Sequence, residues 1–197
     1  MLSAAQVVDG PFGVANADDF YGASSYRVLA SFLQGDASSR DWALVAFRLR
    51  ETLSDHGAVA RGICEEGPPG YLRSVTEVLG IEQREGIVTA PGSRGSIALT
   101  GNEPVSLNLW GFTPALFEAL ESDFGTFLAE RGNDERAEFF LPEVVNRWVS
   151  IGTSRVRLLP TEDPWFGITH PADAPLVSAR LRLLVRAGLY PSPLFAA

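Results

Sequence analysis

Residues 11–22 read Pro-Phe-Gly-Val-Ala-Asn-Ala-Asp-Asp-Phe-Tyr-Gly, and this stretch decides the fold. Phe12, Val14 and Ala15 form a nearly continuous apolar run, which predicts a buried parallel-type strand over Pro11 to Ala17. The run stops at Asp18-Asp19. A helix is expected from about Ser24 to Gln34, with Tyr26, Val28, Leu29, Phe32 and Leu33 as its apolar stripe. In open α/β sheets, ligands bind at the carboxyl ends of strands. A carboxylate there suits Mg²⁺ bridging to phosphate oxygens. An Asp pair in a strand-to-helix turn can equally serve as a helix cap, and the local pattern leaves both readings open.

Working outward, Trp42 to Arg50 suits a central strand. Ala60 to Glu65 and Tyr71 to Val78 read as a strand pair around the turn Gly67-Pro68-Pro69-Gly70. Gly80 to Asn102 is polar, with short strands at Ile87 to Ala90 and Ser96 to Thr100. Val105 to Phe112 is another apolar strand. Thr113-Pro114 reads as the N-cap and first residue of a helix reaching about Glu130. A second helix is expected at Pro142 to Val149, a strand at Arg155 to Pro160 and a short strand or loop at Trp165 to Thr169. A closing helix is expected from Asp173 to Ala187, with Leu176, Val177, Ala179, Leu181, Leu183 and Leu184 as its apolar content. Strands mixed with helices give an α/β class. Neither repeat nor linker divides residues 1–197, so one domain is expected.

Apolar types make up 46% of the 197 residues and charged types 20%, which excludes a disordered tail or a disulfide-stapled miniprotein. The net charge of −8 argues against a general nucleic-acid or anionic-membrane binder. No apolar run approaches ~20 residues, so no membrane-spanning helix is expected. Residues 1–10 have no basic n-region followed by an apolar run, and the lone Cys64 cannot form an internal disulfide. A cytoplasmic location is expected from these features. All 16 basic residues are arginine, so any step that needs a lysine to hold a phosphate is closed to this chain alone. His56, His170 and Cys64 could suggest a metal site or a Cys–His pair. The plainer reading makes His56 a turn residue and Cys64 a small buried side chain.

With these residues in view, Asn16 to Gly22 resembles the motif of a bacterial branch of the sugar-phosphate nucleotidyltransferase superfamily. Further blocks are similar, in order: Thr52-Leu53-Ser54, His56-Gly57, Val59 and Arg61-Gly62; then Glu103 to Pro114; then Phe139-Phe140-Leu141-Pro142; then Leu159-Pro160-Thr161 with Trp165-Phe166-Gly167. The ordered set, from about Leu2 to Leu189, carries the resemblance; any one block alone is weak. It implies a Rossmann-like, GT-A-like nucleotide-binding fold with a mixed, mostly parallel sheet. The implied reaction is attack by a sugar-1-phosphate oxygen on the α-phosphate of a nucleoside triphosphate, with Mg²⁺ present and pyrophosphate released. By the same resemblance, Asp18 is the Mg²⁺ carboxylate and Asp19 its neighbour. Gly62 brings backbone close to the sugar, Glu77 contacts sugar hydroxyls, and Asn108 lies on the strand that walls the sugar pocket.

The chain departs from that pattern at three places. Many relatives carry a phosphate-holding lysine after the glutamate, where Val78 stands here. Those relatives also have a second metal-binding aspartate after the late tryptophan, where this chain reads Trp165-Phe166-Gly167 between Asp163 and Asp173. The family also opens on a Gly-rich triphosphate loop that precedes the Asn-Ala-Asp-Asp block by a βαβ-type half. Here that block begins 15 residues after Met1, so roughly 60 to 100 residues of the pattern are not represented. Pro91 to Ser96 is Gly-rich but lacks a strand-to-helix setting. Three readings follow: an enzyme portion inactive by itself, a non-catalytic sugar-phosphate-recognition or assembly protein, and a subunit completed by a separate nucleotide-binding half. An uncovered sheet edge beside Pro11 to Ala17 would also favour self-association.

Overall fold

The computed structural model of the chain describes residues 1–35, 38–54, 57–93, 95–168 and 173–193. In chain order the elements are β1 (Phe12–Val14), β2 (Asp19–Phe20), α1 (Ala23–Gly35), β3 (Asp41–Arg48), β4 (Val59–Glu66), β5 (Leu72–Arg84), β6 (Ile87–Gly92) and β7 (Gly95–Leu99). Then come β8 (Pro104–Phe112), α2 (Ala115–Arg131), α3 (Leu141–Ser150), β9 (Arg155–Pro160), β10 (Phe166–Gly167) and α4 (Ala174–Arg186). One-turn 3₁₀ helices lie at Leu2–Ala4 and Leu49–Thr52.

The main sheet runs β7-β6-β5-β4-β8-β3-β9, and β1 also pairs with β8. The class is mixed α/β, as expected, but the share of parallel pairing is not. Among the described residues only β3 with β9 is parallel; β1–β8, β3–β8, β4–β8, β4–β5, β5–β6 and β6–β7 are antiparallel. The reason lies in the connections. Strands joined by tight turns must run antiparallel. Gly67 N–H donates to the Tyr71 carbonyl at 2.9 Å and closes the β4–β5 turn. Between β5 and β6, Glu85 and Gly86 both have positive φ, 51° and 83°, the hallmark of a type I′ hairpin turn.

The continuous apolar runs reflect burial on both faces instead of parallel pairing. Along β3, Trp42 and Leu44 pack toward α2 and α3 with Leu116, Leu120, Val144 and Val145. Ala43, Val45 and Phe47 pack on the opposite face with Leu29 and Phe32 of α1. The period-two alternation of a strand thus feeds two cores. The predicted strand Pro11 to Ala17 shortens to β1, antiparallel to the end of β8.

One other expectation is corrected. Thr113 does not cap α2 with its side chain; its hydroxyl donates to the Ser39 carbonyl and ties the helix start to that loop. The closing helix appears as α4; none of its residues is buried, and Leu176 and Leu183 are exposed. No helix among the described residues is long and apolar enough to cross a membrane.

Candidate functional site

A cavity of about 600 Å³ opens where β2, β4, β5 and β8 meet the start of α3. Asp18, Asp19, Gly62, Glu77 and Asn108 all line it. They are brought together from β2 and its preceding turn, β4, β5 and β8.

The acidic turn is held by a small second ribbon. β2 pairs antiparallel with β10, placing Gly167 opposite Asp19 and Phe166 opposite Phe20. The two phenyl rings stack with centroids 4.4 Å apart. Ile168 N–H donates to the Asp18 carbonyl at 2.9 Å. A Cβ at 167 would run into the Asp19 carboxylate, which fills the space beside Gly167, so a side chain there requires Asp19 to move.

Asp19 is committed in further ways. Asn16 Nδ2 donates to Asp19 Oδ2 at 2.9 Å. The Tyr21 hydroxyl lies 3.1 Å from the same oxygen, donates to the Leu107 carbonyl at 2.7 Å and accepts from Asn16 N–H at 3.2 Å. Burial, with the Asp19 charge acting in the same direction, holds this phenol well above its usual range. Asp18 is exposed at the cavity mouth. Among the described residues no group of three His, Cys, Asp or Glu could hold a metal ion, so a closed zinc-type cage is absent there. One or two carboxylates completed by ligand oxygens is a Mg²⁺ donor set, and Asp18 beside Asp19 fits it.

The floor is a row across three strands. Gly62 of β4 faces Glu77 of β5 on one side and Ser106 of β8 on the other. A Cβ on Gly62 would press Val75 Cγ2 at 3.0 Å and Ser106 Cβ at 3.2 Å, so glycine lets the row close up. Glu77 is exposed above this floor. Asn108 sits on a bulge. Leu44 pairs with Trp110 and Ala46 with Ser106, so Leu107, Asn108 and Leu109 face Val45 alone. Asn108 takes up the excess in the left-handed region, at φ 63°, and is exposed to the cavity. Its Oδ1 accepts from Trp110 Nε1 at 3.4 Å.

Two residues that line the cavity, Asn146 and Arg61, were not singled out from the sequence, and Asp163 was named without a role. Asn146 of α3 donates through Nδ2 to the Val75 carbonyl at 2.7 Å and accepts through Oδ1 from Val75 N–H at 2.8 Å. Its carboxamide acts as a peptide group that completes the β5 edge at the cavity wall. The available signal was an amide between Val145 and Trp148 on an apolar helix. Asp163 receives the Ser24 and Ser25 N–H groups on Oδ2 at 2.6 and 2.9 Å. It therefore caps α1 from afar and is not aimed at the cavity.

Arg61 is the other of the two cavity residues. Its Nε donates to Thr52 Oγ1 at 3.1 Å, Nη1 to the Ala60 carbonyl at 2.7 Å and Nη2 to the Thr52 carbonyl. The guanidinium lies 4.7 Å from the centroid of the Trp165 ring. Burial pushes it down to about 10, with Asp19 pulling it back up; at neutral pH it remains charged. Val78 is its partner directly across the β4–β5 ladder.

Cys64 is buried, and burial pushes its thiol up to about 12, so it is no nucleophile near neutral pH. His56 and His170 lie outside the described residues. Pro91 and Gly92 end β6 and pair with Ser96 and Gly95 at the start of β7, so these glycines join two strands and open no helix.

No family model matches the sequence, and no curated protein matches it. The fold is similar to that of the inositol-1-phosphate CTP transferase from T. maritima, with a TM-score of 0.50 and 14% identity. The match covers 87% of this chain and 55% of that one. A mannose-1-phosphate geranyltransferase structure from Thermus thermophilus also matches, at 14% identity and a TM-score of 0.39 over 84% of this chain and 48% of that one. The chain therefore spans about half the length of these proteins. The first likeness bears out the expected nucleotidyltransferase-like α/β fold.

Proposed function

We propose that the chain forms the acceptor-binding part of a nucleotidyltransferase, and that its cavity holds a sugar-1-phosphate-like acceptor. The observation that carries this reading is the convergence of Asp18, Asp19, Gly62, Glu77 and Asn108 on one cavity. Glu77 and Asn108 offer a carboxylate and a carboxamide to hydroxyl groups, which is what a polyhydroxylated ring needs to be oriented. Gly62 and Ser106 keep the floor low enough for a ring to lie against the sheet. Mg²⁺ would bind at Asp18, with Asp19 beside it, and would neutralise charge on phosphate oxygens. Asp19, tied to Asn16 and Tyr21, fixes the shape of the turn that presents Asp18.

The nucleoside triphosphate would need a loop of backbone N–H groups at a helix N-terminus. Among the described residues no Gly-rich loop stands between a strand and a helix. We therefore expect these 197 residues alone to release no pyrophosphate from any nucleoside triphosphate and sugar-1-phosphate. A cytoplasmic setting, where both substrates occur, belongs to the same proposal.

Isothermal titration against a panel of sugar-1-phosphates and inositol phosphates with Mg²⁺ tests the reading. At least one member should bind, and Glu77→Gln should weaken it about tenfold or more. A panel in which nothing binds would contradict the reading. Binding without turnover after a nucleotide-binding half is supplied would favour a recognition protein over an enzyme.

A further inference from the structure

We propose that Arg61 is the anion anchor of the cavity, receiving the phosphate of a phosphomonoester whose hydroxylated body reaches Glu77 and Asn108. This rests on the acceptor reading above and names the group that makes the acceptor's phosphate necessary.

The cavity wall carries four carboxylates, on Asp18, Asp19, Glu77 and Glu143. Arg61 is the one cationic side chain lining it among the described residues. With no lysine in the chain, no ammonium group can take its place. A dianionic ligand entering such a cavity is repelled unless it meets a fixed positive charge, and Arg61 supplies it.

The guanidinium is built for that task. A charge held half-buried for structure alone is normally paired with a carboxylate. Arg61 makes no ion pair within the described residues; Asp19 acts on it only across space, and its hydrogen-bond partners are the Thr52 hydroxyl and two backbone carbonyls, all neutral. Those three bonds use Nε–H and one N–H on each terminal nitrogen. One donor remains on Nη1 and one on Nη2, a pair suited to two oxygens of a phosphate. The Trp165 ring covers one face and, with Thr52, fixes the fork before a ligand arrives, so little rotamer entropy is lost on binding.

Placement agrees with the chemistry. Arg61 and Gly62 are neighbours on β4 and Glu77 stands opposite Gly62 on β5. All three line the same cavity, so a ligand seated in it meets Arg61 as well as Glu77.

The test compares phosphorylated and unphosphorylated forms of one ligand by isothermal titration at low salt. Glucose-1-phosphate and myo-inositol-1-phosphate serve as probes, with glucose and myo-inositol as their uncharged parents and inorganic phosphate as competitor. Wild-type protein should bind a phosphorylated probe at least tenfold more tightly than its parent, and inorganic phosphate should compete. Arg61→Gln should lose about tenfold to a hundredfold for the phosphorylated probe and leave the parent's affinity unchanged. Arg61→Lys should recover part of the loss. Because Arg61→Gln also strands Thr52, the Arg61 Nε–H resonance of wild-type protein provides a second readout; it should shift on adding the bound probe. If wild type binds a sugar phosphate but Arg61→Gln binds it equally well, or the Arg61 resonance stays still, the anchor assignment is overturned and the acceptor reading survives. If no sugar phosphate binds wild type, both fall.

Discussion

Asn108 shows how one backbone angle records a task. Its φ of 63° lies in a region that costs most L-residues about 1–2 kcal/mol, and asparagine bears it better than most. The bulge in β8 forces that angle and turns the residue into the cavity. Backbone and side chain can be separated by substitution. Asn108→Gly should leave stability within about 1 kcal/mol of wild type, because glycine accepts the angle while loosening the unfolded chain. Asn108→Val should lose about 1–3 kcal/mol, since a β-branched residue resists positive φ. Both should weaken acceptor binding by a similar factor if the carboxamide is what the ligand touches. Urea denaturation and titration of the two variants would check this; full affinity in Asn108→Gly would remove Asn108 from the binding set. The residue was legible as part of the cavity wall, but its angle was not. A bulge arises from a mismatch between β8 and β3, which are far apart in sequence.

At the scale of elements, local signals served well and distant ones were invisible. The apolar stripe of α1, the Gly67–Gly70 turn and the alternating β3 are all readable from neighbours in sequence, and each appears where expected. Strand direction was misjudged at Phe12 to Ala15, where an apolar run was read as parallel-type although β1 pairs antiparallel with β8; such a run looks the same whichever way its neighbour runs.

The cap of α1 illustrates the limit most clearly. Ala23 opens the helix with no capping side chain of its own, and Asp163 supplies one from a loop 139 residues away in sequence. Gly22, at φ 79°, leaves room for it: a Cβ there would run into the Asp163 carboxylate. Asp163→Ala should therefore destabilise the protein by about 1–2 kcal/mol, and Asp163→Asn by less, since the amide oxygen still accepts. Thermal unfolding followed by circular dichroism would show it. An unchanged melting temperature in Asp163→Ala would mean that water replaces the cap. Asp163, which precedes Trp165 in the chain, is thus engaged in structure and does not line the cavity.

Across the whole molecule, residues from distant stretches of the sequence line one cavity. Turn, β4, β5 and β8 each contribute to one cavity, although they are spread from Asn16 to Asn108. α3 and the Trp165 loop close its sides from the last third of the chain. A second, more open cavity of about 330 Å³ lies between α1 and β9, with Arg27 and Arg157 in its lining. It offers positive charge without the acidic pair or the bulged asparagine, and so gives the account a natural rival for any anionic ligand. The most direct measurement is backbone amide chemical-shift mapping of the wild-type protein with the sugar-1-phosphate that it binds best, in the presence of Mg²⁺. Shifts should concentrate at Asp18, Arg61, Gly62, Glu77, Ser106 and Asn108. Shifts centred on Arg27, Ser31 and Arg157, with those six residues unmoved, would contradict the account.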